Sequence, residues 1–320
     1  MSRSLRVLAV TNTYPSEETP GDTPCIRDQV LALRAQGVQV DLLHIDRSTG
    51  KRGYAQAAWH LFLSTFQPRR YDLIHAYYGH CGLLARLQAK YPVVVTFRGS
   101  DLLSAKDGAI GRIVARLVGG VIVMTEEMKL VTKRLDAQVI PFGVDLSVFA
   151  PYPVERARRE LELPSSAKLV LFPWDPARAV KRFDIVQEAM ALLKDKRQDV
   201  SLIVIFDKPH AIVAKHMNAC DAMVLASDHE GSPMAVREAM ACNLPIVSVD
   251  VGDVRQIIGD TEGCYLCQRE ASDVAEKLSW VLKRGSRTNG AQVIGRMDAA
   301  WAAERVLSVY EYVLNSNHLS

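Results

Sequence analysis

The chain is 320 residues long, with a net charge of +3, 48% hydrophobic residues and 23% charged ones. That length accommodates two domains of about 150 residues, and the composition is that of a globular chain, which excludes a disordered one. No apolar run reaches the roughly 18–20 residues of a membrane-spanning helix, and no strong basic stripe marks a nucleic-acid binder.

The charge is uneven. Residues 1–147 hold 18 Lys+Arg against 13 Asp+Glu, while residues 148–320 hold 21 against 23. A modestly basic first half can rest on an anionic membrane surface or meet an acidic acceptor; an ordinary solvated surface accounts for the same imbalance. The opening residues lead straight into a six-residue apolar run, too short for a signal-peptide core, so a cytoplasmic protein is expected. Cysteines lie scattered at 25, 81, 220, 242, 264 and 267. Cys264 and Cys267 form one C-x-x-C without the partner ligands of a zinc site, and both read as small packed residues; no metal is expected.

Short β-branched runs alternate with helical patterns, which predicts parallel sheets joined by helical crossovers. In the first half the strands fall at 5–10, 38–45, 72–76, 92–97, 120–124 and 137–141, with helical spacing over 26–36 and 82–90. Segment 54–66 (YAQAAWHLFLSTF), flanked by Lys51, Arg52, Arg69 and Arg70, reads as a helix packed under the first domain, or as an interfacial one touching lipid. A Pro-containing, charge-rich stretch at 151–164 marks the seam. Beyond it, strands are predicted at 168–172, 200–206, 221–226, 244–249 and 263–266, with helices over 183–194 and 233–242. A last helix near 296–314 turns Trp301, Val306, Val309 and Val313 to one side. The domains are therefore 1–147, 148–295, and a terminal helix over 296–320 able to pack back on the first. Each domain is Rossmann-like, the two are expected to face each other across a cleft, and ligands in such sheets sit beyond the carboxyl ends of the strands.

The segment 221–252, DAMVLASDHEGSPMAVREAMACNLPIVSVDVG, carries the chemistry. A strand ends near Ala226 and a helix begins after a short loop, with Ser232 expected as its N-cap and Pro233 as its first residue. The N-terminus of such a helix binds anions through free N–H groups and the positive end of its dipole, which suits a diphosphate. Glu230 stands in the loop before it and Glu238 about 7 Å up its axis. Carboxylates at those two places can accept hydrogen bonds from sugar hydroxyls on either side of a phosphate.

Glu230-Gly231-Ser232-Pro233 followed by Glu238-Ala239-Met240-Ala241-Cys242-Asn243-Leu244-Pro245-Ile246-Val247 resembles the signature of the retaining glycosyltransferases of family 4, which have the GT-B fold. The main departure is Asn243 in place of glycine, and either residue ends a helix in the left-handed conformation. The resemblance implies that Glu230 contacts the donor sugar and Glu238 the ribose hydroxyls, with Gly231, Ser232, Pro233 and Met234 completing the donor site. Val139-Ile140-Pro141-Phe142-Gly143-Val144-Asp145 is similar to the family's interdomain stretch. Arg178 and Lys181 occupy the place of the basic loop that neutralises the donor diphosphate, a suitable role for cations beside a leaving group gaining negative charge. In the first domain Gly21 lies where the family keeps glycines near the phosphate, and His75-Ala76-Tyr77-Tyr78-Gly79 resembles its I-H-x-H segment. Thr96-Phe97-Arg98-Gly99-Ser100-Asp101 resembles T-x-H-G-x-D, with Arg98 for a histidine that meets the donor sugar. His75, Tyr77, Asp101 and Phe142 are thereby expected at the acceptor side of the cleft.

The activity so implied is metal-independent transfer of a hexosyl unit, with retention, from a nucleotide-diphosphate sugar to a hydroxyl acceptor, a glycan or lipid-linked glycan. A UDP-sugar is favoured over a GDP-sugar. Only 14 residues (207–220) separate two strands of the second half where the family usually inserts a further helix and strand, so that sheet is expected to be one strand short. The loop Asp207-Lys208-Pro209-His210 is then left to meet the base. A dehydrogenase is excluded, because residues 8–16 lack the G-x-G-x-x-G turn. A non-catalytic nucleotide-sugar-binding scaffold, or a GT-B epimerase, are the alternatives.

Overall fold

The computed structural model describes residues 4–104, 106–196 and 199–317, with the side chains of residues 196 and 317 left aside. It divides into two compact units, one formed by the first 15 residues, 22–143 and 299–320, the other by 16–21 and 144–298. Both are α/β, each built on one parallel sheet, as the alternating pattern predicts.

The first unit runs β1 (Arg6–Thr11), α1 (Pro24–Ala35), β2 (Gln39–His44), α2 (Lys51–Ser64), β3 (Leu73–Tyr77), α3 (Gly79–Ala85), β4 (Val93–Thr96), α4 (Ser100–Leu103), α5 (Gly108–Leu117), β5 (Gly120–Val123), α6 (Glu126–Thr132) and β6 (Gln138–Val139). Its six strands lie in the order β2-β1-β3-β4-β5-β6. The order reverses direction at β1, so right-handed crossovers place α1 on one side of the sheet and the later helices on the other. β3, β4 and β5 are buried along their whole length; their unbroken apolar runs reflect burial on both faces.

The second unit runs α7 (Val154–Glu160), β7 (Lys168–Phe172), α8 (Phe183–Lys196), β8 (Val200–Val204), α9 (His210–Ala219), β9 (Ala222–Leu225), α10 (Met234–Ala241), β10 (Ile246–Val249), α11 (Val254–Ile258), β11 (Tyr265–Cys267), α12 (Ala271–Arg284) and α13 (Gly290–Ile294). Its sheet has the order β11-β10-β9-β7-β8. A single helix, α9, joins β8 to β9, so the sheet has the five strands expected of the short connection. Arg158 of α7, 7% exposed, ties this unit at the base of the sheet. Its guanidinium donates to the carbonyls of Ser165, Ala167 and Ala219 and to Asp221 Oδ2 at 2.7 Å.

The last helix, α14 (Ala299–Asn317), belongs to the first unit, where it meets α1 and β5. Gly119 and Gly120 make room for it: a Cβ on either would stand within about 3 Å of a Val313 methyl, at 3.0 and 2.8 Å. Tyr310 reaches the sheet and hydrogen-bonds His75 Nδ1 at 2.6 Å.

Residues 16–21 belong to the second unit although their flanks belong to the first. The Gly21 N–H donates to Asp207 Oδ1 at 3.0 Å, and a Cβ at Gly21 would sit 2.7 Å from Asp207 Cα. This absent side chain lets the two backbones touch.

Candidate donor site

The second unit gathers its polar groups at the carboxyl end of β9. Behind that strand Ser227, fully buried, donates from Oγ to Glu230 Oε1 at 2.7 Å. The same carboxylate oxygen receives the ammonium of Lys181, whose side chain is 5% exposed against 16% for Glu230. Lys181 lies at the end of a 3₁₀ turn, Ala179–Lys181, and its Nζ also rests 4.8 Å from the ring centroid of Trp174. Burial lowers the Lys181 pKa and the Glu230 charge opposes that shift. The cation is thus held between an aromatic face and a carboxylate, with little water around it.

The loops holding this pair are themselves bonded together. The Asp228 N–H donates to the Val180 carbonyl at 2.9 Å, and Arg269 donates to the carbonyls of Ser227 at 3.0 Å and Asp228 at 3.1 Å. Arg182, in the left-handed region at φ 50°, reaches Asp228 Oδ1 at 3.3 Å. Charge-assisted bonds to carbonyls and carboxylates are about twice as strong as neutral ones, so the Lys181–Glu230 geometry is set before any ligand arrives.

α10 begins one residue later than expected, and Ser232 does not cap it. Pro233 takes the cap position at φ −73°, ψ 107°, without a side-chain cap bond. Ser232 Oγ instead donates to Asp253 Oδ2 at 2.9 Å, the oxygen that also pairs with buried Arg237. A charged acceptor outcompetes a backbone N–H for the hydroxyl, and the first turn of α10 is left without a side-chain partner. Every α10 residue except Met234 is buried. Glu238 lies one turn inside at 7% exposure, with His210 Nε2 3.8 Å from Oε1 and the His210 ring packed edge-on against Phe149. At its far end Asn243 adopts φ 56° and accepts from the Ala291 N–H at Oδ1, 2.8 Å, so the asparagine both reverses the chain and fastens α13.

Gly252, at φ +57°, closes against the loop: a Cβ there would stand 2.4 Å from the Gly231 carbonyl oxygen and 3.2 Å from that of Glu230. Gly252→Ala is therefore expected to lower stability by about 2–3 kcal/mol, the backbone strain plus the clash. Gly285, in the left-handed helical region at φ +64° and ψ 14° with nothing nearer than 3.9 Å to its Cβ position, isolates the backbone part, about 1 kcal/mol on changing to Ala. Chemical denaturation of the two variants checks the difference, and equal losses would mean that the 230–231 backbone yields freely.

The other predicted residues are placed as follows. Arg178 is exposed and Lys181 buried, so the two basic side chains do not share one environment. Gly231, Ser232 and Met234 are partly buried and Pro233 is buried, all at the start of α10. In the first unit Arg98, partly buried, donates to Thr13 Oγ1 at 2.9 Å and Thr23 Oγ1 at 3.2 Å. Asp101, 1% exposed, accepts from the N–H groups of Arg98, Gly99 and Gly79 at 2.9–3.1 Å. Its burial raises the carboxyl pKa against the pull of these amides. Asp101 shapes the loop that carries Arg98 and is not open to an acceptor.

His75 is also corrected. It is fully buried, its ring nitrogens bonded to Tyr310 and to Thr96 Oγ1 at 2.7 Å, and it stacks on Tyr77 at 4.2 Å. Tyr77 in turn stacks on Phe142; at 1% and 4% exposure these three rings form a core column and present no acceptor surface. Reading the sequence missed Ser227, Trp174, Asp253 and Arg269 as members of the second unit's site. They lie 3 to 56 positions from Glu230 and carry no local pattern that joins them to it.

Comparison with known proteins follows the same residues. Residues 202–293 match the family model for glycosyl transferases group 1. The chain is 28% identical over 236 residues to the putative teichuronic acid biosynthesis glycosyltransferase TuaC of Bacillus subtilis, an alignment covering 65% of this chain; the chain spans 60% of that protein's length. Among solved structures it resembles sucrose-phosphate synthase of Thermosynechococcus elongatus, with a TM-score of 0.77 and 17% identity over 97% of this chain and all of that one. It also resembles Anabaena HepE in complex with UDP and glucose, with a TM-score of 0.72 and 15% identity over 95% and 98% of the two chains. These proteins share the fold. The chain has the GT-B fold, and its residues 202–293, which include the Glu230–Val247 string, match the glycosyl transferases group 1.

Proposed function

We propose that this protein transfers a hexosyl unit from a nucleotide-diphosphate sugar to a hydroxyl of a glycan or lipid-linked glycan, with retention and without a metal. The observation that carries the reading is the Lys181–Glu230–Ser227 cluster beside the uncapped start of α10; Ser227, Glu230 and α10 lie within the segment matching the family, and Lys181 precedes it. α10 supplies N–H groups and a positive dipole end for the diphosphate, and Lys181 supplies a cation in a poorly solvated place, where it acts most strongly on a developing charge. Glu230 receives the sugar hydroxyls and Glu238 those of the ribose. Arg178, exposed at the mouth of the basic loop, adds positive charge toward the phosphate.

In the reaction the bond from the anomeric carbon to the diphosphate breaks, the acceptor oxygen bonds to that carbon on the same face, and its proton passes to the leaving phosphate. No carboxylate base is needed on the acceptor side, in accord with the buried, fully bonded Asp101. A UDP-sugar is favoured, since the similar HepE structure holds UDP and glucose.

The test is release of nucleoside diphosphate from a panel of UDP-, GDP-, ADP- and TDP-sugars by the wild type, Glu230→Ala and Glu238→Ala. Selective release from one donor, reduced by about 10²-fold or more in both variants, is the expected outcome. Tight nucleotide binding without turnover over a wide acceptor panel would favour a non-catalytic sugar-nucleotide-binding role, the reading suggested by the five-stranded second sheet.

A further inference from the structure

α2 presents a face opposite in character to what its surroundings require. Gly53, Ala57, Leu61 and Ser64 are buried, at the spacing of one helical stripe. The outward stripe should then be polar. It instead carries Trp59 at 62% exposure, Phe62 at 43% and Phe66, just past the helix end, at 73%. These rings sit side by side, Trp59 to Phe62 at 6.0 Å and Phe62 to Phe66 at 5.4 Å, forming a continuous apolar ridge. α2 contacts the neighbouring helix α3, where Leu83 is 41% exposed, and Leu87, two residues past its end, is 48% exposed.

The segment around the ridge is predominantly basic, with Asp41 Oδ2, 3.4 Å from Arg70, as an opposing charge. Residues 51–90 contain Lys51, Arg52, Arg69, Arg70, Arg86 and Lys90 against a single acidic residue, Asp72. Lys51 and Arg52 open α2 and are exposed, as are Arg69 and Arg70 just beyond Phe66. Cations at a helix N-terminus oppose its dipole, so Lys51 and Arg52 are not placed there for helix stability. Among the described residues no helix is long and apolar enough to cross a membrane.

We infer that the α2–α3 face docks on an anionic lipid bilayer, with Trp59, Phe62 and Phe66 seated at headgroup depth and Lys51, Arg52, Arg69 and Arg70 against lipid phosphates. Aromatic rings flanked by cations fit that interface on both counts: their amphipathic bodies prefer the headgroup region, and the basic groups follow the negative surface potential. A second copy of the chain is a poorer occupant, because a two-fold contact through this face would bring its own cations together. The inference is independent of the glycosyl-transfer reading, since it concerns a surface of the first unit and is measured without a sugar donor.

Co-sedimentation with vesicles tests it. The wild type is expected to bind an equimolar phosphatidylcholine–phosphatidylglycerol mixture, to bind phosphatidylcholine alone at least about tenfold more weakly, and to be released as salt rises. W59S/F62S/F66S and, separately, K51E/R52E should each weaken binding by about tenfold or more while keeping the thermal midpoint of the wild type, because every substituted side chain is exposed. The second variant serves if the first fails to fold. Absent vesicle binding, binding indifferent to lipid charge, or binding unaltered in both variants would overturn the inference. So would a dimer in sedimentation velocity that W59S/F62S/F66S dissociates while vesicle binding is lacking.

Discussion

Lys181→Met is expected to cut release of nucleoside diphosphate from the preferred sugar donor by about 10²–10³-fold and to destabilise the protein by about 3 kcal/mol. The first effect follows from removing a preorganised cation beside the leaving group. The second follows from stranding the Glu230 carboxylate, still bonded to Ser227 but deprived of its counter-charge. Breaking a buried pair costs about 3–5 kcal/mol, and the 16% exposure of the Glu230 side chain places this pair at the low end. Methionine keeps an unbranched stem as far as Cε and lacks the ammonium with its contact to the Trp174 ring, so little apolar volume is lost. The double variant Lys181→Met/Glu230→Gln should recover most of the stability, since the uncompensated charge is gone, yet none of the turnover. Urea denaturation beside initial-rate measurement gives both numbers. Turnover within threefold of wild type in Lys181→Met would remove the cation from the mechanism.

The buried histidine of β3 makes acid stability the second strong expectation. Burial depresses the His75 imidazole from an ordinary 6.5 to about 3. The unfolded chain takes up a proton below pH 6.5 while the folded one stays neutral until about pH 3, so the unfolded state binds more protons over that interval. The stability from neutral His75 is therefore fully present above pH 6.5 and is lost as pH falls toward 3, with a slope of up to about 1.4 kcal/mol per pH unit. Between pH 6.5 and 5 the loss attributable to this residue is about 2 kcal/mol. His75→Gln keeps a neutral group able to meet the hydroxyls of Tyr310 and Thr96 and cannot take up the proton. Its denaturation midpoint should fall less between pH 7 and 5 than that of the wild type, whatever its starting value. Identical pH slopes would show that another group governs acid unfolding.

Both predictions rest on residues of which the sequence discloses different amounts. The strands were legible because continuous β-branched runs such as Val93–Thr96 and Ala222–Leu225 have few alternatives once both faces are buried. The five-stranded second sheet followed from counting the residues between two such runs. Asn243 was legible as a helix terminator because its left-handed conformation is a local property of that residue type. His75 was not legible as core, since a histidine in DLIHA looks the same whether its ring faces ligand or protein. Only the arrival of Tyr310, 235 positions away, decides it. Ser232 misled for a related reason: the letters S-P fit a helix cap, and the competing acceptor, Asp253, is 21 residues distant. Lys181 and Glu230 were each singled out, but their direct pairing across 49 residues is a product of the fold.

The place of α14 bears on how the chain acquires its shape during synthesis. The first unit is not closed when residue 143 is made, because its sheet still lacks the helix that covers Gly119, Gly120 and His75. All of 144–298 must be translated before that helix appears, a wait of roughly 8–31 s at ordinary ribosomal speeds. The later unit is contiguous apart from residues 16–21, which are already outside, so it can reach its native state while the earlier one is still incomplete. In a nascent-chain protease assay, protection should spread from the middle of the polypeptide outward, with the amino-terminal third becoming resistant last.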